Sequence, residues 1–247
     1  MAEFSGNVAL VAGASGLVGS HLLARLLEGT DFLRIYAVTR RALKQEHPRL
    51  ANRIVRFETL EAQLKGLVCH TAFCCLGEAQ GEDSSPRAVR FAHVLAFARA
   101  AKAAQVQRLV MLSCMGADEH SENPRLRIKG EIEQALEGLG FASLDILRPG
   151  PLLGIRREMG PAALARTLVM PLVNLALVGA REQYRGIDAR TVAEAMIGAA
   201  RSGRRGVYRY TYAGICALAG VKQQRASTRS APKGGQPPVP RTGQPPT

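Results

Sequence analysis

Gly13, Gly16 and Gly19 stand in the spacing G-x-x-G-x-x-G, behind the apolar run Val8-Ala9-Leu10-Val11-Ala12 and ahead of an amphipathic segment carrying Leu22, Leu23, Leu26 and Leu27. Strand, glycine turn and helix in that order make a cradle for a pyrophosphate. Gly13 permits the tight turn, Gly16 lets a ligand approach the backbone, and Gly19 lets helix and strand close up. Ser15, Leu17 and Val18 lie between them, where the first helical N–H groups and the positive end of the helix dipole face an anion. A dinucleotide suits this chemistry; the plain alternative is an ordinary strand-to-helix turn.

A second group of residues bears on which dinucleotide. The buried-looking stretch Arg34–Thr39 runs into Arg40-Arg41, and no carboxylate occurs between Arg34 and Arg41. In a dinucleotide fold this place faces the adenine ribose, where an acid bonds a free 2′-hydroxyl and arginine accommodates a 2′-phosphate. The arginine pair favours NADP(H) over NAD(H), with a solvated basic turn as the other reading.

The remaining elements must bring these residues to one edge. Arg53–Phe57 reads as a third strand, and Leu67–Leu76 as a fourth, closing in Phe73-Cys74-Cys75-Leu76-Gly77. Leu76 and Gly77 would bring that strand's end to the cofactor. Phe91–Ala104 is a helix in which His93 is a surface or packing residue, and Arg108–Ser113 is the fifth strand. Arg125–Leu136 is a helix with Ile128, Ile132 and Leu136 on one face, and Phe141–Leu147 is a sixth strand ending at Arg148-Pro149-Gly150. A further helix runs from Asp188 or Thr191 to about Arg201, with Asp188 as its cap. Val207–Tyr212 alternates as a half-buried edge strand whose tyrosines pack. Successive βα units give an α/β fold with a doubly wound parallel sheet of the Rossmann type. Ligands bind outside the carboxyl ends of such strands, so Gly13, Gly77, Ser113 and Cys114 should crowd one edge.

Composition and segment character bound the rest. The 247 residues suffice for one α/β domain over 1–221, followed by a basic, Pro/Gly-rich tail over 222–247 that is expected to be disordered. The polar stretch Gly81–Arg87 is expected to be a mobile loop over the cofactor edge. Residues 151–180 form a small substrate-side helical segment; Arg166, Pro171 and Asn174 interrupt its apolar part, leaving no run of roughly 18 residues to span a membrane. A core or lid helix is expected there, with a homodimer face as an additional role. The formal charge of +13 invites a nucleic-acid reading, but much of it lies in the acid-free tail and no aromatic-basic alternation accompanies it, so no specific nucleic-acid partner is expected. Cys69, Cys74 and Cys75 lack a metal-ligand spacing, so no metal is expected. Five cysteines and an N-terminus without a basic or cleavable apolar region suggest a cytoplasmic protein.

The glycine motif together with Phe73-Cys74-Cys75-Leu76-Gly77, Lys129-Gly130-Glu131 and Leu147-Arg148-Pro149-Gly150 resembles the atypical short-chain dehydrogenase/reductases, most closely the Tat-interacting-protein group, over roughly residues 7–212. The resemblance implies a Rossmann-type fold binding NADPH. It also implies a lysine, Lys129, that holds the nicotinamide ribose and lowers the pKa of a tyrosine four residues earlier, with a serine, Ser113, after the fifth strand. This chain departs at the tyrosine, where Arg125 stands instead; a guanidinium stays protonated and does not exchange a proton at working pH. Cys114 and Met115 follow Ser113 where relatives tend to carry a second serine, and Glu78 stands where threonine is common.

Two readings follow. In the first, the chain is an NADP(H)-dependent oxidoreductase of an unknown small molecule. Lys129 holds the ribose, Ser113 or Cys114 bonds a substrate carbonyl, Arg125 clamps an anion, and water supplies the proton. In the second it is a non-catalytic NADPH-binding module for a protein partner.

Overall fold

Val8–Ala12 forms strand β1, which pairs in parallel with β2 (Arg34–Thr39) on one side and β4 (Thr71–Cys74) on the other. The structure, a computed structural model, describes residues 7–77, 87–153 and 184–221. The expectations for the loop over 81–86, for Glu78, for most of the substrate-side segment (154–180) and for the tail over 222–247 fall outside the described residues.

Beyond β2 lies β3 (Leu50–Ile54); beyond β4 lie β5 (Arg108–Leu112), β6 (Ser143–Leu147) and β9 (Gly206–Tyr210). The sheet order is β3-β2-β1-β4-β5-β6-β9, all parallel, and it reverses direction between β1 and β4. Such sheets bind ligands outside the carboxyl ends of the strands at this reversal, which here is the edge of Gly13 and Cys75. A short parallel pair, β7 (Leu152–Leu153) with β8 (Ile187–Asp188), flanks residues 154–183.

Helices cover both faces. On one, α1 (Leu17–Glu28) packs with Ala189–Arg201, here α5, which in turn packs with Tyr212–Leu218, here α6. On the other, α2 (Leu60–Gln63), α3 (Arg87–Ala103) and α4 (Pro124–Glu137) cover the sheet. Leu22, Leu23, Leu26 and Leu27 of α1 are all buried, as their helical spacing requires. Asp188 caps α5 by accepting the Arg190 N–H at 2.7 Å.

The third strand begins three residues earlier than its apolar pattern suggests. β3 is the sheet edge, with Arg53 and Ile54 exposed, while Val55 and Phe57 turn inward only after the ladder ends. Hydrophobicity marked the point where the chain dives into the core, not where it pairs. Phe57 then stacks on His93 with ring centroids 4.6 Å apart, so the histidine is a packing residue. Tyr212 starts α6 rather than extending the last strand, and neither α2 nor α6 was expected.

A buried polar group ties β6 to β9. The Asp145 carboxylate, fully buried, accepts the Tyr210 hydroxyl and the Ser143 hydroxyl, each at 2.9 Å. Burial raises its pKa above the ordinary 3.8, outweighing the lowering by those two bonds. The folded protein therefore holds this proton to higher pH than the unfolded chain. The stability so contributed is complete below 3.8 and is lost as pH rises through the raised folded value. Asp145→Asn keeps the shape and removes the titration. The stability of the wild type minus that of the variant, from urea unfolding, should fall as pH rises above the ordinary value of 3.8; a flat difference would refute the assignment.

Candidate functional site

β1 ends at Ala12, and the chain turns at Gly13 with φ +78°, a conformation that side chains disfavour. A methyl group there would lie 2.5 Å from the Cys75 carbonyl oxygen, so the turn is wedged against the end of β4. The Gly16 N–H closes the turn on the Gly13 carbonyl at 3.0 Å. Gly19 lies so close beneath it that a methyl would overlap the same carbonyl. Ser15 is exposed, Leu17 half-buried and Val18 buried in the core. The contribution of Val18 at the turn is thus its backbone.

At Gly16 no side chain caps α1, and the first turn holds no acid. The leading N–H groups are left to an anion, helped by the helix dipole. A methyl on Gly16 would meet nothing nearer than the Gly13 carbonyl at 3.2 Å, so its outer side is open to approach. These features fit the pyrophosphate of a dinucleotide. Leu76, half-buried, and Gly77, exposed, follow β4 at the same edge, and Arg40 and Arg41 are exposed where the chain bends after β2.

Asn123 caps α4 by accepting the Arg125 N–H at 3.0 Å, and Pro124 occupies the first turn. Arg125 is exposed and Lys129, one turn later on the same face, is half-buried. Burial pushes the Cys74 thiol up to about 11, and the Lys129 ammonium pulls against that shift. Lys129 therefore lies near enough to the end of β4 for its charge to act there.

Ser113 lies just past β5, its N–H on the Leu147 carbonyl at 2.8 Å. Its hydroxyl donates to Glu133 Oε1 on α4. Glu133 is 1 % exposed and is held by Arg148 through Nη2 at 2.6 Å and Nε at 3.1 Å, with Arg209 Nε at 3.4 Å. Arg209 also pairs with Glu137. A carbonyl reaching Ser113 would compete with a buried carboxylate for its proton. The cluster borders a cavity of about 580 Å³ whose lining includes Asp118, Glu119, Glu133, Glu137, Arg148 and Arg209. Sequence reasoning passed over Glu133 and Arg209 because an acid on a charged helix and an arginine on an edge strand look like solvated residues. The signal available was position: Glu133 follows Ile132 and comes one turn after Lys129.

This site can be set beside known proteins. A protein-family model described as NAD(P)H-binding matches residues 13–150, from the glycine turn to the end of the sixth strand's loop. The chain belongs to this NAD(P)H-binding family. Protein fmp52, mitochondrial, of Aspergillus fumigatus is 32% identical over 203 residues, covering 78% of this chain and 86% of the relative. Protein HTATIP2 of Rattus norvegicus is 36% identical over 158 residues, covering 61% and 65%. These relatives bear out the expected resemblance to atypical short-chain dehydrogenase/reductases. Among solved structures, MoeE5 in complex with UDP-glucose and NAD superposes with a TM-score of 0.58 at 21% identity, covering 83% of this chain and 76% of that one. A nucleoside-diphosphate-sugar epimerase from Staphylococcus aureus gives 0.57 at 14%, covering 86% and 75%. At these identities the structural likeness speaks for the Rossmann-type fold.

The cytoplasmic expectation is overturned. The fungal relatives from Aspergillus fumigatus, Candida glabrata and Kluyveromyces lactis are named mitochondrial, which points away from the cytoplasm. The cysteines misled because they are packing residues. Cys69, Cys74, Cys75 and Cys216 are buried; burial pushes Cys69 up to about 11, and burial, with Cys74 beside it, raises Cys75 as well. Thiols so shielded are inert and carry little information about their redox surroundings. Among the described residues, no helix is long and apolar enough to cross a membrane, and no group of acids, histidines and cysteines could hold a metal.

Proposed function

We propose that this NAD(P)H-binding protein is an NADP(H)-dependent oxidoreductase acting on a small molecule. The observation that carries the cofactor choice is the exposed pair Arg40 and Arg41 at the carboxyl end of β2, one strand from the uncapped glycine turn, with no carboxylate from Arg34 to Arg41. A bound nicotinamide supplies or accepts the hydride. The chain's own part is to bind and orient. The N–H groups at Gly16–Val18 take the pyrophosphate, and Leu76 and Gly77 lie along the same edge. Lys129 takes the ribose hydroxyls and places positive charge where a substrate oxygen gains negative charge. Arg125 clamps an anionic substrate, and the proton comes from water because a guanidinium does not exchange one.

A second reading, a non-catalytic NADPH-dependent module that binds a protein partner, is favoured by one specific observation. Arg125 stands at the tyrosine position, and the Ser113 proton is already given to Glu133. Titration of the full chain with NADPH and with NADH separates the readings in two steps. The chain has no tryptophan, so nicotinamide fluorescence and thermal shift are the readouts. NADPH at a hundred times its Kd should stabilise the fold by about 2.7 kcal/mol. Arg40→Ala should weaken NADPH and spare NADH. Oxidation of NADPH against a panel of carbonyl compounds should then vanish in Lys129→Ala. Tight binding without turnover would select the module, and no shift with either dinucleotide would remove both readings.

A further inference from the structure

The two arginines that face the adenine ribose sit on a bend, and a bend holds a guanidinium in place only if it is itself held. One side chain does this from the neighbouring strand. Asn52, in the middle of β3, uses its whole amide on the segment around the bend. Its Nδ2 donates to the Ala37 carbonyl at 3.0 Å and to the Thr39 hydroxyl at 2.7 Å, both before the arginines. Its Oδ1 accepts the Leu43 N–H at 2.8 Å, just after them. Both N–H groups and the oxygen are engaged, so the amide has one workable orientation. Thr39 is buried and its carbonyl accepts the Val55 N–H at 2.9 Å, while Leu43 packs against the α1 side of the core. Residues 40–42 are therefore clamped at both ends by a residue that is itself set back from the bend.

We propose that Asn52 is a specificity-determining residue: it sets the preference for a 2′-phosphate by fixing the bend that presents Arg40 and Arg41. The inference rests on the NADP(H) reading above. The physical argument is differential. Guanidinium recognition of a phosphate is directional, and a bend that must be ordered on binding charges that ordering against affinity. A dinucleotide with a free 2′-hydroxyl makes no use of the arginines, so loosening the bend leaves its affinity alone. A side chain that merely stabilised the fold would change both cofactors alike.

The test compares Kd for NADPH and NADH in the full chain, for the wild type, Arg40→Ala, Asn52→Ala and Asn52→Asp. Asn52→Ala should weaken NADPH by about tenfold and leave NADH within about twofold. Asn52→Asp should weaken NADPH further, because it sets an acceptor against the Ala37 carbonyl and adds negative charge beside the arginines. Thr39→Val, a substitution suited to a strand, removes one of the three bonds and carries the test if Asn52→Ala does not fold; it should shift the ratio the same way, by less. Suppose the wild type prefers NADPH and Arg40→Ala abolishes the preference, while the Asn52 variants (or Thr39→Val in their place) leave the ratio unchanged or weaken both cofactors equally. The role of Asn52 is then refuted and the NADP(H) reading stands. A wild type without preference refutes both, and Arg40→Ala distinguishes the two failures.

Discussion

Glu133→Ala should destabilise the folded protein by about 3 kcal/mol, the low end for removing one partner of a buried ion pair. The carboxylate is 1 % exposed, and it is the common acceptor for Ser113, Arg148 and Arg209. Truncation leaves a hydroxyl and two guanidiniums without it. The loss stays at the low end because Arg148 and Arg209 are a quarter and two-fifths exposed and border a cavity that admits water. For a domain of this size about 3 kcal/mol corresponds to a fall in Tm of roughly 6–12 °C. Glu137→Ala is the control. That carboxylate is about a third exposed and pairs with Arg209, so its removal should cost less than about 1 kcal/mol. Urea unfolding of the two variants at neutral pH decides. Equal losses would mean that Glu133 does not organise the cluster.

The contrast between the glycine turn and this cluster explains what could be read from the chain. Gly13, Gly16 and Gly19 belong to one strand-turn-helix unit, so spacing alone specifies their geometry. The same is true of Asp188 as a cap and of the four leucines of α1, because caps and helical faces are local. Glu133 meets Arg148 across 15 positions and Arg209 across 76, and nothing in the neighbourhood of any of the three announces the others. Asn52 was hidden for another reason. The apolar pattern placed the third strand at 53–57, which leaves the asparagine outside it, whereas hydrogen bonding places it at the centre of Leu50–Ile54. Edge strands are half solvated, and their hydrophobic pattern follows burial rather than pairing. The compartment failed because cysteine number is a weak proxy when packing, not chemistry, explains the thiols.

Gly19→Ala should abolish the cofactor-induced rise in Tm and also destabilise the unliganded fold, by about 1–3 kcal/mol for an overpacked site. The added methyl would overlap the Gly13 carbonyl. The turn has nowhere to retreat, because Gly13 is itself close against the Cys75 carbonyl at the end of β4. Helix α1 must tilt away instead, which misaims the N–H groups that would meet the pyrophosphate. Gly16→Ala separates binding from folding. Its methyl would meet the Gly13 carbonyl at 3.2 Å, a contact that a shift of a few tenths of an ångström relieves, so the unliganded Tm should stay nearly unchanged. The same methyl occupies the side from which the pyrophosphate approaches the backbone, so the NADPH shift should shrink as it does in Gly19→Ala. Thermal melts of both variants, with and without NADPH, read the two effects independently. An undiminished NADPH shift in Gly16→Ala would place the phosphates away from this turn, and the glycines would then serve only the close packing of α1 on β1 and β4.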